Sequence, residues 1–290
     1  MGVVRIEKLF NSVEGKEDLE RQFGLDRWYE VFVDEACDID SSIKSVAQSG
    51  EVALVEYNSL AKKASDCVVY PYDGDEVATK AAAVDEGLQF NDPALVDQWH
   101  YYNQGNASVS KTVVKGADIN VKDVWRNLTC GDPDIIVAVV DEGVKYTHQD
   151  LADNMWVNTK EIPGNGIDDD KNGYIDDVYG YNFVDNGAIS WTKSGDTGHG
   201  THCAGTIAAV NNNGKGVCCV AGGTGNGDGC RIMSCQIFSG NGGGTVSVTV
   251  KAIKYAADNG ASIISCSFGY STAFASDDAY IKSQGSAEID

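Results

Sequence analysis

The chain has 290 residues, 42% hydrophobic and 9% aromatic, which is typical of a folded globular protein and long enough for two domains. Its 43 acidic and 22 basic residues give a net charge of -21, so we do not expect nucleic acid or an anionic membrane as the main partner. No stretch of the sequence approaches the roughly 18 apolar residues of a membrane span.

Residues 1–66 are predicted to form a small α+β domain. Strand-forming residues occupy 28–33 and 51–57, and residues 39–47 between them have helical spacing. Residues 67–90 are more polar and rich in alanine and aspartate, which indicates a linker. The first residues are Met-Gly-Val-Val-Arg-Ile-Glu-Lys, which do not resemble a signal peptide, so export would require a longer N-terminus.

A buried strand is predicted before Asp141. Residues 119–127 have the spacing of a helix, and residues 135–140 are six consecutive apolar residues, as in a parallel strand buried on both faces. Asp141 at the end of this strand, with Gly143 soon after, lies where open α/β sheets place catalytic groups. The alternative is that Asp141 caps the following turn.

An aspartate-rich segment, residues 168–177, predicts a calcium loop. Its oxygen ligands would be the side chains and one backbone carbonyl of Asp168, Asp170, Asn172, Tyr174 and Asp176, with Gly173 at the sharp turn. The match covers the first nine positions of such a loop, whereas the twelfth position is Tyr179 rather than Glu. An acidic turn without an ion is the alternative.

Two of the four histidines, His199 and His202, lie in the stretch Asp-Thr-Gly-His-Gly-Thr-His-Cys-Ala-Gly-Thr, residues 196–206. A histidine at the first turn of a buried helix, between glycines, suits general acid/base chemistry. A structural histidine is one alternative. A metal site is another, but zinc needs three or four ligands at a recognisable spacing, and neither Cys-x-x-Cys nor His-Glu-x-x-His occurs.

The remaining elements predict a parallel α/β sheet. Residues 231–238 and 262–267 form apolar strands, and residues 246–258 have the spacing of an amphipathic helix. The glycine-rich segment 239–244 would let an extended peptide pair with its backbone, and a phosphate loop is disfavoured because no Gly-Lys-Ser/Thr follows. The repeated order of strand and helix implies helices on both faces of the sheet.

Four motifs in this order resemble the subtilases, the subtilisin-like serine proteases, and especially their thermitase-like members. They are Val137-Ala-Val-Val-Asp141-Glu-Gly143, His148-Gln-Asp150-Leu151, Gly198-His199-Gly-Thr-His-Cys-Ala-Gly-Thr206 and Ser265-Cys-Ser267-Phe-Gly269. The resemblance covers residues 91–270 and implies a subtilisin-like peptidase domain over residues 91–290. It implies that His199 is the general base and that Asp141 orients and stabilises its ring.

The resemblance also implies binding sites. Protein or peptide substrates would lie between two segments, Gly242-Gly243-Gly244 and Ser267-Phe268-Gly269. A second calcium ion would be held by side chains and backbone carbonyls of Asp92, Asp150, Val210, Asn213, Lys215 and Val217. The domain of residues 1–66 is similar to the subtilase propeptide, which caps the substrate cleft, so a zymogen is expected.

Two departures from the family pattern stand out. Glu142 occupies a position where the family usually has Thr or Ser. The nucleophile motif Gly-Thr-Ser-Met-Ala does not occur, and Ser286, in Gly-Ser-Ala, is followed only by residues 287–290, too few for the expected helix. We therefore expect the peptidase domain to be truncated before the nucleophile and the chain to be a fragment of a longer precursor, secreted or located in the cell envelope.

Two other functions fit the same sequence. A truncated subtilase could be a non-catalytic module that binds peptides or a partner chain, or it could be a calcium-binding structural domain.

Overall fold

The computed structural model describes residues 2–63, 89–105, 112 and 114–270. In chain order its strands are β1 (Val3–Lys8), β2 (Tyr29–Val33), β3 (Ala61–Lys63), β4 (Ile136–Glu142), β5 (Gly180–Asn182), β6 (Arg231–Phe238), β7 (Ile263–Cys266) and β8 (Phe268–Tyr270). Its α-helices are α1 (Glu17–Gln22), α2 (Ile39–Ala47), α3 (Val121–Asn127), α4 (His199–Ala208) and α5 (Val246–Asp258). Short 3₁₀ turns cover Leu25–Arg27, Leu95–Asp97 and Ala152–Asn154.

A parallel sheet with the strand order β5-β6-β4-β7 organises the larger part of the molecule. β4 lies inside the sheet and is buried along almost its whole length, as its six apolar residues predicted. One face carries the apolar cluster that includes Ala252 and Tyr255 of α5, and the other carries the cluster that includes Ala204 and Ala208 of α4. The predicted α/β class, with helices on both faces of a parallel sheet, is therefore confirmed.

The N-terminal part, residues 2–63, contains an antiparallel pair of strands, β1 and β2, and the helices α1 and α2. The predicted helix over residues 39–47 is confirmed, but the predicted strand over residues 51–57 is wrong. That segment finds no neighbouring strand in the described ranges, and the Tyr57 hydroxyl donates instead to the Asp40 carboxylate of α2 (2.5 Å). Its apolar residues Val52 and Leu54 are exposed, so strand-forming residue types alone did not produce a strand. β1 was not among the predicted strands.

Residues 64–88 lie outside the described part of the chain, so the predicted boundary at residue 66 and most of the predicted linker 67–90 fall outside it as well. No helix in the described ranges combines the length and the apolar character needed to cross a membrane.

The N-terminal part contacts the larger part through charges. Lys254 of α5 lies 2.9 Å from Glu20 of α1, and Lys251 of α5 lies 2.7 Å from Glu30 of β2. Lys16 donates to the Asp258 carboxylate at the C-terminal end of α5 (3.1 Å). These ion pairs place the N-terminal part against α5.

Candidate active site

Asp141 and His199 meet where the C-terminal end of β4 faces the first turn of α4. Gly198, just before the helix, has the left-handed φ of 75°, which glycine adopts without strain. Gly200 lets the helix approach the strand, because a Cβ there would lie 2.1 Å from the Glu142 carbonyl oxygen. The two glycines of the Gly-His-Gly sequence therefore fix the position of His199 beside Asp141.

The two side chains form a buried hydrogen bond. His199 Nδ1 lies 2.7 Å from Asp141 Oδ1, and the Asp141 side chain is fully buried. Since an ionised carboxylate can only accept, Nδ1 carries the proton, and Nε2 is left as the basic nitrogen. Asp141 Oδ1 also accepts from the Glu142 N–H (2.6 Å), whereas Oδ2 is buried without a partner among the described residues.

Burial raises the pKa of Asp141, while the hydrogen bonds from His199 and from the Glu142 backbone act in the opposite direction. These two hydrogen bonds favour the ionised carboxylate. A buried anion that holds Nδ1–H can orient the imidazole ring and stabilise it when Nε2 takes up a proton.

A metal ion is the alternative at this site, because ligand atoms of Asp141, His199 and Cys203 lie within 4.8 Å of one another. The direct hydrogen bond of 2.7 Å between Asp141 and His199 Nδ1 leaves no room for an ion between these two atoms. His202 is exposed and joins no cluster of potential ligands in the described ranges. The geometry favours an acid/base pair over a metal centre.

Glu142 is a site residue that stood out in the sequence only as a departure from the family pattern. Its carboxylate is buried and accepts hydrogen bonds from the backbone N–H groups of Thr197 (3.1 Å) and His199 (2.9 Å). It also forms an ion pair with Lys63 of β3. Burial raises the pKa of Glu142, but the contact with Lys63 and these hydrogen bonds outweigh that effect and hold the pKa below its usual value.

An extended segment of the chain lies between the two segments predicted to flank substrate. On one side β3 pairs antiparallel with β8, where Lys63 is opposite Phe268 and Lys62 opposite Gly269. On the other side the Ala61 N–H donates to the Gly244 carbonyl oxygen (2.8 Å). A backbone pairing groove is thus formed by these two segments.

The other residues predicted to flank substrate, Gly242, Gly243 and Ser267, lie in the same two segments. A side chain at Gly243 would come within 3.4 Å of the Ala61 carbonyl oxygen. Gly242 exchanges backbone hydrogen bonds with Ser239 (3.0 and 3.2 Å). Ser267 is half-buried in the link between β7 and β8.

The residues of the second predicted calcium site come together around Asp92 and Asp150, which are 3% and 1% exposed. Asp150 accepts from the Asn213 side-chain amide (2.8 Å) and from the Val217 N–H (2.9 Å). The Val210 N–H donates to the Asp150 carbonyl oxygen (2.8 Å). The loop is closed by a bond from the Lys215 N–H to Asn213 Oδ1 (2.8 Å).

This arrangement fits a cation. Asp92 Oδ2 accepts from the Asn212 N–H (2.7 Å), but Oδ1 is buried without a partner in the described part of the chain. Burial raises the pKa of Asp92 to about 6, and the nearby charge of Asp150 adds to the increase. A hard cation such as calcium would neutralise both carboxylates and satisfy the free oxygen. Asn213 would then present its amide oxygen rather than its nitrogen.

The aspartate-rich loop is folded differently from a simple row of ligands. Asp168 accepts from the Asn172 N–H (3.0 Å) and the Gly173 N–H (2.8 Å). Asp170 also accepts from the Asn172 N–H (3.1 Å), and the Tyr174 N–H donates to Asn172 Oδ1 (2.8 Å).

The Asp176 carboxylate faces another way and accepts from the N–H groups of Gly164, Asn165 and Gly166. Potential ligand oxygens of Glu161, Asp170 and Asp177 instead lie within 4.8 Å of one another. Burial raises the pKa of both Glu161 and Asp177. Neither residue was among the predicted ligands, although Asp177 stands next to the predicted ligand Asp176.

Comparison with known proteins places these features in one family. The family model described as "Subtilase family" matches residues 132–288. Subtilisin-like protease 1 of Plasmodium vivax is 32% identical over 248 residues, covering 79% of this chain and 37% of the relative. Thermitase of Thermoactinomyces vulgaris is 35% identical over 133 residues, covering 46% of this chain and 37% of the relative.

Among solved structures, fervidolysin from Fervidobacterium pennivorans, titled a keratinolytic enzyme related to subtilisin, is 23% identical. The match covers 73% of this chain and 26% of the fervidolysin chain, with a TM-score of 0.43. The chain spans well under half the length of these relatives. Since the family model covers more than half of the chain, and since its match includes both Asp141 and His199, the chain belongs to the subtilase family of serine proteases.

Proposed function

We propose that this chain is part of a serine endopeptidase of the subtilase type, which hydrolyses peptide bonds in protein substrates. The observation that carries the proposal is the buried bond between His199 Nδ1 and Asp141 (2.7 Å), next to a groove that pairs with an extended backbone. A general base and a peptide groove at one place are what acyl transfer to a serine requires.

In this mechanism His199 Nε2 removes the proton from a serine hydroxyl as its oxygen attacks the substrate carbonyl. His199 then gives the proton to the departing amine, and in deacylation it does the same with water. Asp141 keeps Nδ1 protonated and stabilises the imidazolium between these steps. We assign the role of this serine to no residue of the chain, because the Gly-Thr-Ser-Met-Ala motif does not occur in residues 1–290.

The N-terminal part is proposed to act as an inhibitory propeptide of this enzyme. Support comes from its last described residues, since β3 occupies the groove in the extended form that a substrate would take. The Ser59 carbonyl oxygen accepts from the Val246 N–H (2.9 Å), which continues the backbone pairing along the groove. A substrate can enter only when this segment leaves, so removal of the N-terminal part would activate the enzyme.

Calcium is proposed as a structural ion, held by Asp92, Asp150 and Asn213 with the carbonyls of Val210, Lys215 and Val217. When bound, it neutralises two buried carboxylates and joins the segment around Asp92 to the loop after α4. The aspartate-rich loop is a second candidate calcium site, with Asp168, Asp170, Asn172, Tyr174 and Asp176 as sequence-predicted ligands and Glu161 and Asp177 as neighbours.

We also propose that the enzyme is secreted or located in the cell envelope.

The test is hydrolysis of unstructured protein and of fluorogenic peptides by the natural protein that contains this chain. His199→Ala should lower kcat/KM by at least about 10⁴-fold, because the general base is lost. The matched control is His202→Ala, which removes an exposed histidine from the same helix and should retain activity. Peptide binding without hydrolysis in the wild type would reject the proposal and favour the non-catalytic binding module.

A further inference from the structure

The buried carboxylate of Glu142 forms one wall of the groove. Its side chain is only 2% exposed, and it accepts from Thr197 Oγ1 (3.1 Å) as well as from backbone N–H groups at the start of α4. These neutral donors satisfy the lone pairs of the carboxylate but leave its negative charge in place. Asp141, the preceding residue, is a second buried acid. This wall of the groove therefore has a strong negative charge that is shielded from bulk water.

Lys63 of β3 provides the opposite charge. Its ammonium group forms an ion pair with Glu142 and lies 3.4 Å from Thr197 Oγ1, and its side chain is 20% exposed. Among the described residues, this is the one ion pair that Glu142 makes. Because side chains alternate along a strand, the preceding residue Lys62 projects elsewhere, and it is exposed.

We propose that Glu142 makes the groove selective for a basic side chain, so that a bound peptide carries lysine or arginine at the position taken by Lys63. Glu142 is then a specificity-determining residue for the peptidase, and Lys63 is the chain's own occupant of the pocket. The substrate part of this inference rests on the proposed peptidase function. The pocket itself rests on the contacts between these two residues.

The selectivity follows from desolvation. When a peptide covers the groove, water is excluded from Glu142, and a buried charge is costly unless an opposite charge accompanies it. A neutral side chain of the same length would leave the carboxylate without a counter-charge. An acidic side chain would add a third negative charge beside Asp141 and Glu142. If Glu142 served only as a cap for α4, none of these differences would arise.

The pocket can be tested on the 290-residue chain without any activity. Amide hydrogen exchange at Ala61, which donates to Gly244, reports how often β3 leaves the groove. We expect Lys63→Met to accelerate this exchange by roughly tenfold, since a hydrogen bond to a charged group is lost. Lys62→Met, the matched control, should leave it unchanged. Equal exchange rates in the two variants would overturn the proposal.

The substrate preference is tested on the natural protein with peptides that resemble residues 58–63 and differ only at the position of Lys63. We expect kcat/KM to be at least about tenfold higher for lysine than for norleucine, and lowest for glutamate. Glu142→Gln keeps an acceptor for α4 and should bring the lysine-to-norleucine ratio close to one. An equal rate for lysine and norleucine in the wild type would overturn the proposal.

These two experiments separate the inference from the function on which it rests. If the natural protein hydrolyses no peptide, the peptidase proposal fails, and the exchange experiment still decides whether Glu142 binds a basic side chain.

Discussion

Replacing Asp92 by asparagine should make the protein more stable without calcium and less responsive to it. Asp92 is buried, one of its carboxylate oxygens has no partner among the described residues, and Asp150 is close by. Without a cation the ionised side chain is therefore unfavourable in the folded state. Asparagine keeps an oxygen for the Asn212 N–H but removes the charge.

The magnitude follows from the raised pKa of Asp92, about 6 in the folded protein against 3.8 for an unperturbed carboxyl. This difference corresponds to roughly 3 kcal/mol, at about 1.4 kcal/mol for each pKa unit. Because the folded state binds the proton more tightly than the unfolded state, the free energy of unfolding falls as pH rises from about 4 to about 6. Above that range the full penalty remains.

Near-saturating calcium should reverse the order of the two proteins at neutral pH. A cation at one thousand times its Kd stabilises the folded state by about 4.1 kcal/mol, which exceeds the penalty of roughly 3 kcal/mol, and this gain requires the ionised Asp92. A change of this size corresponds to a Tm shift of roughly 8–16 °C for a domain of this length. Lowering the pH below about 6 should weaken the effect, since protons then compete with the ion.

The assay is thermal unfolding of the wild type and Asp92→Asn in chelator and in calcium, at neutral and at mildly acidic pH. Asp97→Asn, which removes an exposed acid five residues away, is the control for net charge. A variant Asp92→Asn that is less stable than the wild type in chelator, with calcium shifting the Tm of both equally, would refute this prediction. The carboxylate would then be a structural hydrogen-bond acceptor only.

Two further predictions concern packing and charge. Gly200→Ala should displace α4 and lower both stability and activity, because its Cβ would lie 2.1 Å from the Glu142 carbonyl oxygen. Gly205→Ala is the control: it has open space around it and should stabilise the helix by up to about 1 kcal/mol. Thermal melting followed by circular dichroism compares the two variants. Lys254→Met should weaken the contact between α5 and Glu20, because it removes the ion pair of 2.9 Å. Limited proteolysis should then release the N-terminal part faster than in the wild type. High salt should accelerate the release from the wild type in the same way, because it screens the ion pair. Proteolysis that does not depend on salt would contradict the second prediction.

The elements that the sequence predicted well are those with a strong and continuous pattern. β6 and α5 have the bounds that the apolar run and the helical spacing predicted, and β4 ends in Glu142, one residue beyond Asp141. In each case burial in the core and local propensity favour the same structure. The contact between Asp141 and His199 was predictable for a related reason, since a strand end and a glycine-flanked histidine each have a local signature.

What the sequence could not show depends on contacts between distant residues. The pairing of β3 with β8 joins segments about 200 residues apart in the chain, and neither segment has a pattern that identifies the other. The ion pair between Lys63 and Glu142 is of the same kind, at a separation of 79 residues. The signal for Glu142 was limited to its departure from the family pattern, an acid where Thr or Ser is usual.

We propose that Asp141 and His199 activate a serine for attack on peptide bonds. The most direct measurement is labelling of the natural protein with a fluorophosphonate probe, followed by mass spectrometric location of the modified residue. We expect one modified serine in the wild type and a large loss of labelling in His199→Ala, because the hydroxyl then lacks its base. A wild-type protein that folds, binds peptides and takes up no probe would contradict the claim.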